Sequence, residues 1–490
     1  MATGQLITWT MTLLWTLVVP RSLGPSGMGT IMAAWSITGI LGVVLGLGTR
    51  NYLVRESVVD PDAASKLVGT ALVLRLVLSP ALLAGAFVYG EVVGWGQDAK
   101  TVLYLAAAAT IFVQIAEPLQ AAFQSLEQMQ YLAYSDILSK SGQGLVGIVV
   151  VLLGAGTIGV TACWAVMTGL VVVLDLWWLR GRMRLDLHTN FRRMAHLARA
   201  SLPYWAFGLF FMIYLWIDFV MLSLLTSAEV VGWYSVPTRL FQTMMFLPVV
   251  IATAWLPRFV RSFEESPKSL GEVARPPVEL VLLLSLPIAA LTIVAADPLI
   301  GLLYGSAYDN SVPVMMILGL CIPPMYLNIM LAQVLIAMNR QVLWTWVMAA
   351  TTIVNPLFNL VLIPWTQHHY GNGAIGAAIS LLLTELVCIG AGYVLIGRLV
   401  FNFGSLKRTV LGTGIAAAMW AVGYELQQVA GWVPALIAAA LTFPVLAAVV
   451  RLFTPEELAL IRSGLVKARN KIPGLRRVVP TPPREAPQAP

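Results

Sequence analysis

The sequence predicts an all-α fold, a polytopic membrane protein of about 14 transmembrane helices, and three observations support this prediction. Hydrophobic residues make up 59% of the 490 residues and charged residues only 11%, whereas soluble domains carry about 25% charged residues. Apolar stretches recur along nearly the whole chain, and a run of about 18 residues already crosses about 30 Å of hydrocarbon as a helix. The basic residues fall in alternate connections, as successive crossings in opposite directions require.

The apolar stretches, separated by polar or Gly/Pro-rich breaks, define the individual spans. Every connection between them is short, about 20 residues at most. In chain order we place the spans at residues 4–20, 28–48, 66–90, 100–124, 136–154, 158–179, 201–225, 230–254, 277–296, 311–337, 343–363, 374–397, 409–427 and 432–451.

The basic residues indicate the orientation of the chain in the membrane. The 30 Lys and Arg outnumber the 23 Asp and Glu, a surplus that in a soluble protein would suggest nucleic acid. With a cytoplasmic N-terminus, the Lys and Arg residues lie on the cytoplasmic side. The exceptions are Arg21 and Lys100, which lie outside, and Arg75 and Arg239, which lie within spans. This bias follows the positive-inside rule. It predicts a multi-pass protein of the cytoplasmic membrane with both termini in the cytoplasm and no nucleic-acid partner.

An internal repeat indicates two pseudo-symmetric six-helix lobes. The pattern G-x-G-x-I-G begins at Gly154 before the sixth span and at Gly371 before the twelfth, as expected for parallel repeats related by an axis along the membrane normal. We therefore divide the chain into an N-lobe with helices 1–6 (1–180), a basic cytoplasmic linker (181–200), a C-lobe with helices 7–12 (201–398), helices 13–14 (399–453) and a basic, Pro-rich cytoplasmic tail (454–490). The composition of the tail predicts disorder.

Three motifs resemble those of the polysaccharide-biosynthesis flippases, in the multidrug/oligosaccharidyl-lipid/polysaccharide exporter superfamily. The first looks like R-x-L-G-P-x-x-x-G, the second like a helix-seven Asp followed by V-G-x-Y, and the third like N-x-x-x-N-x-x-x-I-P followed by G-A-A. The residues that carry these motifs are Arg21, Gly24, Asp218, Gly232, Tyr234, Asn355, Asn359, Pro364 and Gly376. Residues 365–370 lengthen the connection after Pro364, so we expect an atypical outer turn there.

The resemblance implies a transporter and not an enzyme. Such a flippase moves a polyprenyl-diphosphate-linked oligosaccharide, the repeat unit of a cell-surface polysaccharide, from the cytoplasmic to the outer leaflet by alternating access. Its partners would be the lipid bilayer, the lipid-linked glycan and other polysaccharide-assembly proteins. The resemblance implies no cofactor and no metal. It leaves open whether a coupling ion, H⁺ or Na⁺, is used.

Charges inside the spans are the first candidates for contact with a diphosphate head group, because each is costly in hydrocarbon. Arg75 in the third span and Arg239 in the eighth place one deep guanidinium in each lobe, and a guanidinium matches phosphate oxygens bidentately. The alternative is a structural ion pair, with Glu117 for Arg75 and with Asp218 for Arg239.

Further polar side chains are candidates with a structural alternative in each case. A polar face of the fourth helix, spaced by three and four residues, would line the cleft or form a hydrogen-bonded seam; it consists of Gln114, Glu117, Gln120 and Gln124. Lys140 would belong to a cytoplasmic vestibule or anchor its helix at the interface. Glu385 is the candidate for the coupling ion, and Asn355 and Asn359 share one helix face that suits packing.

Two other functions stay open at this stage. One is a cation-coupled multidrug exporter of the same superfamily, and the other is a polytopic glycan polymerase or ligase. The outer loops are short and lack a paired-carboxylate or metal-ligand pattern, which favours a non-enzyme. The three cysteines lie in different apolar stretches, which predicts small buried side chains without disulfides.

Overall fold

A computed structural model describes residues 2–455 and 457–458, with the backbone alone for residues 2–9, 62, 207, 267 and 398. All regular structure in this part of the chain is helical, which confirms the all-α prediction. The disordered tail predicted for 454–490 lies almost wholly outside the described residues. The α-helices are α1 (Ala2–Gly46), α2 (Thr49–Val59), α3 (Pro61–Val92), α4 (Gln97–Ser125), α5 (Met129–Ile137), α6 (Gln143–Leu152), α7 (Gly156–Arg180), α8 (Phe191–Leu225), α9 (Ala228–Met244), α10 (Phe246–Glu265), α11 (Pro267–Tyr304), α12 (Val312–Ala337), α13 (Gln341–Tyr370), α14 (Gly373–Gly392), α15 (Arg398–Val400), α16 (Phe403–Ala430) and α17 (Trp432–Val449).

Helix α1 is a hairpin that contains the first two predicted spans. Twelve helical stretches of the described chain are long and apolar enough to cross a membrane, and α1 is broken at Gly24, where φ is 68° and ψ is 177°. Trp15 and Trp35 would be about 30 Å apart on a straight helix, yet their rings stack with centroids 5.7 Å apart. The chain therefore reverses direction at Gly24, so the two arms of α1 correspond to the first and second predicted spans. Helix α16 corresponds to the thirteenth predicted span in chain order.

We use N-lobe for helices α1–α7 and C-lobe for helices α8–α14, following the predicted division, and the predicted linker between them is partly helical. Helix α8 begins at Phe191, so the second half of the predicted linker is helical. The residues before it pack on α3, where the Asp186 amide donates to Ser65 Oγ (3.2 Å) and the hydroxyls of Thr70 and Thr189 are 3.1 Å apart. The linker is thus attached to the N-lobe, and α8 starts directly from it.

The expected atypical turn after Pro364 is wrong, because α13 continues to Tyr370. The chain turns instead at Gly371, whose φ of 65° lies in the left-handed region that favours glycine. Asn372 then caps α14 by accepting a hydrogen bond from the Ala374 amide (3.1 Å). The second copy of the repeated motif therefore begins α14, and the first copy begins α7.

Helices α16 and α17 pack against α11 through a separate apolar cluster. Leu283 and Leu286 of α11 meet Met419 of α16 and Phe443 of α17 in this cluster. At one end, Arg408 of α16 forms ion pairs with Glu279 and Glu457. These two helices are thereby fixed to the C-lobe, while the main core joins the helices of both lobes.

The three cysteines, Cys163, Cys321 and Cys388, are buried and unpaired. Each therefore contributes to packing alone, as the sequence predicts.

Candidate functional site

The two lobes meet through backbone contact between α1 and α9. A Cβ atom added to Gly29 would lie 1.7 Å from the carbonyl oxygen of Ala228, and one added to Gly232 would lie 1.9 Å from that of Pro25. Only glycine fits at such distances. Two motifs that the sequence shows separately, around Gly24 and around Gly232, therefore form one contact between the lobes.

Side-chain hydrogen bonds reinforce this contact between the lobes, which is called the seam below. Tyr308 Oη donates to the carbonyl oxygen of Pro20 (3.0 Å). Tyr89 of α3 and Ser223 of α8 share a hydrogen bond across the lobes. By the predicted orientation, this is the outer end of the bundle, and it is closed. Arg21 lies beside it and is exposed.

On one flank the lobes stay in contact as far as the inner end. The second half of α1 packs against α8, where Trp205 Nε1 donates to the carbonyl oxygen of Val43 (3.1 Å). A Cβ atom on Gly48 would lie 2.4 Å from the Trp205 amide nitrogen. This flank is therefore sealed along its length.

The other flank is exposed toward the inner end. Helix α9 is buried over most of its length, whereas α10, which follows it after a break at Met245, exposes 63% of Phe246 and nearly half of Val249. The first half of α1 shows the same change, because Val19 is buried but Leu13 is exposed. The lobes thus converge at the outer end, and these two helices are uncovered at the inner end.

Arg75 forms the structural ion pair that the sequence offered as an alternative. Its side chain is 1% exposed, and it donates to Glu117 Oε2 (2.6 Å), to Thr49 Oγ1 (2.8 Å) and to the carbonyl oxygen of Gln114. Glu117 stays 30% exposed. Within the protein, the Arg75 guanidinium is already used to join α2, α3 and α4.

Arg239 has no ion pair or hydrogen bond within the described residues, and its side chain is half-buried. The expected alternative, a pair with Asp218, does not form. Asp218 instead bonds Tyr234, which lies five residues before Arg239 on α9 and hence about 140° away around the helix. Arg239 interacts electrostatically with Tyr304, whose buried hydroxyl has no hydrogen-bond partner in this part of the chain.

Asp218 is buried in a network of uncharged groups. It accepts hydrogen bonds from Tyr234 Oη (2.8 Å) and from Asn359 Nδ2 (2.7 Å). The same Asn359 nitrogen donates to Asn355 Oδ1 (2.7 Å). The two asparagines of the third motif thus share one face of α13, as predicted, and that face holds the carboxylate of α8.

Glu385 lies in a second network next to the first. It accepts from Asn328 Nδ2 (2.8 Å) and from the hydroxyl of Tyr214, and it interacts electrostatically with Asp218. Sequence reasoning missed Asn328 and Tyr214, although an amide inside an apolar span was a usable signal for the first. Neither carboxylate forms an ion pair within the described residues.

Unpartnered oxygens face these networks. The side-chain oxygens of Asn328 and Asn359 are buried without a hydrogen-bond partner among the described residues. Each belongs to an amide whose nitrogen already bonds a carboxylate, so both oxygens lie close to Glu385 or Asp218. The site therefore offers several oxygen ligands and no internal cation.

The polar face of α4 points at neighbouring helices. Gln114 lies against Gly42 and Gly46 of α1, and Gln120 Nε2 is 3.5 Å from Asp175 of α7. Gln124 is half-buried. Within the described residues Gln114 Oε1 is buried without a hydrogen-bond partner, so the cleft and the seam both stay predictions for this face.

Lys140 lies in a short π-helical segment between α5 and α6, Leu138–Gly142. Its side chain is exposed and pairs with Asp136 at 3.3 Å. A charged pair exposed within a membrane span needs water or lipid head groups beside it.

Two known protein families match parts of this sequence. The family described as "Polysaccharide biosynthesis protein" matches residues 1–263, and the family MatE matches residues 209–362. No curated protein matches the sequence.

Solved structures share the fold. A "Lipid II flippase MurJ, inward closed conformation" superposes with a TM-score of 0.72 at 11% identity, over 92% of this chain and 98% of that one. An inward-facing multidrug resistance MATE family transporter of the MOP superfamily gives 0.63 at 15% identity, over 80% and 95% of the two chains. An outward-facing structure of the same description gives only 0.50, over 81% and 94% at 15% identity.

Those structures are transporters and flippases by their descriptions, and the described fold is theirs. The first family match covers more than half of the chain. The chain therefore belongs to the polysaccharide biosynthesis protein family, and its fold is similar to that of the flippase and the MOP-superfamily transporter named above.

Proposed function

We propose that the protein is a flippase for a polyprenyl-diphosphate-linked oligosaccharide, the repeat unit of a cell-surface polysaccharide. It works in the cytoplasmic membrane with both termini in the cytoplasm, and it receives its substrate from other polysaccharide-assembly proteins. The lobes rock so that the head group enters from the cytoplasmic leaflet and leaves in the outer one.

The observation that carries this proposal is the one-sided opening between the lobes. A lipid-linked substrate must keep its chain in hydrocarbon while its charged head group enters the protein. The flank formed by α10 and the first half of α1 is uncovered at the inner end and covered at the outer end. That geometry supports head-group entry from the side with the lipid chain left in the bilayer.

Arg239 is the residue that we assign to the diphosphate. It lies six residues before the break at Met245, where the buried part of α9 gives way to the exposed α10. Its guanidinium is unpaired within the described chain, and the free Tyr304 hydroxyl could donate to the same phosphate. Arg75, in contrast, is assigned a structural role because it is buried and both terminal nitrogens of its guanidinium donate to α2 or α4.

Glycan export in cells tests this assignment. Arg239→Gln should reduce export at least tenfold, because a hydrogen bond to a charged group contributes about 1.5–3 kcal/mol. Arg340→Gln, which removes an exposed charge at the start of α13, is the matched control and should export normally. Normal export by Arg239→Gln at equal membrane abundance would contradict the assignment.

Glu385 and Asp218 are the proposed site for the coupling cation, a proton or a sodium ion. Two buried carboxylates that lack an internal cation are costly when charged, so binding a cation would stabilise this arrangement. The unpartnered amide oxygens of Asn328 and Asn359 support such a site.

Reconstituted vesicles test this proposal when Na⁺ is varied at fixed pH and pH at fixed Na⁺. Glu385→Gln should abolish the dependence of transport on whichever ion drives the wild-type protein. Glu425→Gln, which removes a carboxylate from the exposed side of α16, should preserve it. An unchanged ion dependence in Glu385→Gln would exclude this site.

A cation-coupled multidrug exporter is the second candidate, favoured by the MatE match to residues 209–362. A drug-sensitive host separates the two functions. Drug resistance conferred by the wild-type protein, together with normal glycan export in a strain without it, would favour the exporter.

A further inference from the structure

A cavity of about 690 Å³ lies between the start of α3 and the start of α8, apart from the opening described above. Five basic side chains contribute to its wall: Lys66, Arg192, Arg193, His196 and Arg199. Leu67 and Phe191 add apolar surface. The cavity is therefore basic and partly apolar, and its walls come from both lobes.

The basic groups on α8 share one side of the helix. Arg192, His196 and Arg199 follow one another at steps of four and three residues, which places them on the same face. All three are exposed. Arg192 and Arg199 form no ion pair or hydrogen bond within the described residues.

Acidic groups near the cavity balance only part of this charge. Asp186 interacts electrostatically with Lys66, and it is already bonded to the backbone amide of His188 (2.9 Å). Arg193 donates to the carbonyl oxygen of His188 (3.3 Å). Among the side chains that the structure describes at the cavity, positive charge therefore exceeds negative charge, and an anion would neutralise it.

The surroundings indicate a phosphate carried by a lipid. The cavity lies where α3 and α8 enter the membrane, at the end of the bundle that is rich in basic residues. Phe191 is 81% exposed there, and an exposed aromatic side chain is typical of the membrane interface. Basic pockets between transmembrane helices suit anionic lipid head groups, and arginine matches phosphate oxygens bidentately.

We propose that this cavity binds the phosphate head group of an anionic phospholipid. The guanidinium groups of Arg192 and Arg199 bind the phosphate, and Phe191 contacts the glycerol and upper acyl region. Because α3 belongs to the N-lobe and α8 to the C-lobe, the bound lipid bridges the lobes. The proposal does not depend on the transported substrate.

Lipid titration of the purified full-length protein tests the proposal. Native mass spectrometry in detergent would count bound phosphatidylglycerol, with phosphatidylcholine as the neutral lipid and inorganic pyrophosphate as a free phosphate competitor. Arg192→Gln/Arg199→Gln should weaken phosphatidylglycerol binding about 25-fold, since each basic residue near a lipid surface contributes about fivefold (about 1 kcal/mol). Lys268→Gln/Arg340→Gln removes two exposed charges elsewhere at the same end and should bind like the wild type.

Phe191→Ala separates lipid from free phosphate. It should weaken phosphatidylglycerol binding severalfold and leave pyrophosphate competition unchanged. Equal binding by the wild type and the double variant, or equal loss in the control pair, would overturn the proposed site. Unchanged lipid binding in Phe191→Ala, with pyrophosphate displacing the lipid at equimolar concentration, would overturn the lipid assignment in favour of free phosphate.

Discussion

The backbone contact at the outer end of the lobes makes Gly232→Ala the sharpest test of the alternating-access proposal. A new Cβ would start 1.9 Å from the carbonyl oxygen of Pro25, and real Cβ atoms essentially never come closer than 3.0 Å to a neighbour. The two helices must therefore separate by about 1 Å. Overpacking of this kind costs about 1–3 kcal/mol, and the cost falls only on the state in which the outer end is closed. An intermediate cost of about 2 kcal/mol corresponds to about a 30-fold shift toward the outward-open state.

Labelling of a cysteine at the seam measures this shift. Ser223 is buried beside Tyr89 at the closed end, so Ser223→Cys should react slowly with a membrane-impermeant maleimide added outside. Adding Gly232→Ala should raise the labelling rate by up to 30-fold. Gly301→Ala is the matched control, because a Cβ there meets nothing within 4 Å. An unchanged rate in a folded Gly232→Ala protein would refute the reasoning that this contact closes the outer end.

Three further predictions follow from buried polar contacts. Arg75→Ala should lower the free energy of unfolding by about 3 kcal/mol, because it leaves Glu117 without its cation; thermal melts check this, and Glu117→Gln should cost at least as much, because it leaves the buried Arg75 guanidinium without its counter-ion. Asp218→Asn keeps the shape of the side chain and should leave the melting temperature nearly unchanged while altering the ion dependence of transport, which vesicle assays would detect. Arg408→Gln leaves the buried Glu279 and Glu457 without their cation, so faster proteolysis before α16 or after α17, measured against the wild type, is expected.

The number and order of the helices could be predicted from the sequence because each span is a long apolar run. Even the hairpin at Gly24 was visible, since the Gly/Pro-rich segment interrupts the apolar pattern. Helix ends were less predictable where polar residues continue a helix beyond the membrane. Residues 365–370 have the composition of a loop, yet they remain helical until Gly371 supplies the left-handed residue that ends α13.

The contacts of charged residues were predictable only in part. Depth along a helix can be counted from the sequence. Glu117 was offered as a partner of Arg75 although its depth differs somewhat, and that pair forms. Depth alone failed for Arg239 and Asp218, because the direction of each side chain around its helix decides whether they meet. Asn328 carried a signal, as an amide inside an apolar span, but its partner Glu385 is visible only in the fold.

The contact between Gly29 and Gly232 required tertiary structure. Each glycine belongs to a motif that is readable by itself, and neither motif carries a signal about the other. Both positions require glycine for the same reason, because the backbones of α1 and α9 are in direct contact there. A sequence alone shows where glycine occurs, and only the fold shows which close approach needs it.

The proposed cation site is connected with the seam through α9. The N-lobe neutralises Arg75 internally with Glu117, whereas its buried Asp175 bonds Ser135 and Gln120 and has no ion pair among the described residues. In the C-lobe, Asp218 bonds Tyr234, which is only two residues from Gly232 on α9. Binding a cation at Asp218 would change the charge of the carboxylate that accepts the Tyr234 hydrogen bond. Tyr234 lies on the segment of α9 that closes the outer end. In the proposed mechanism, ion binding and lobe closure therefore act on the same turn of one helix, as coupling between them requires.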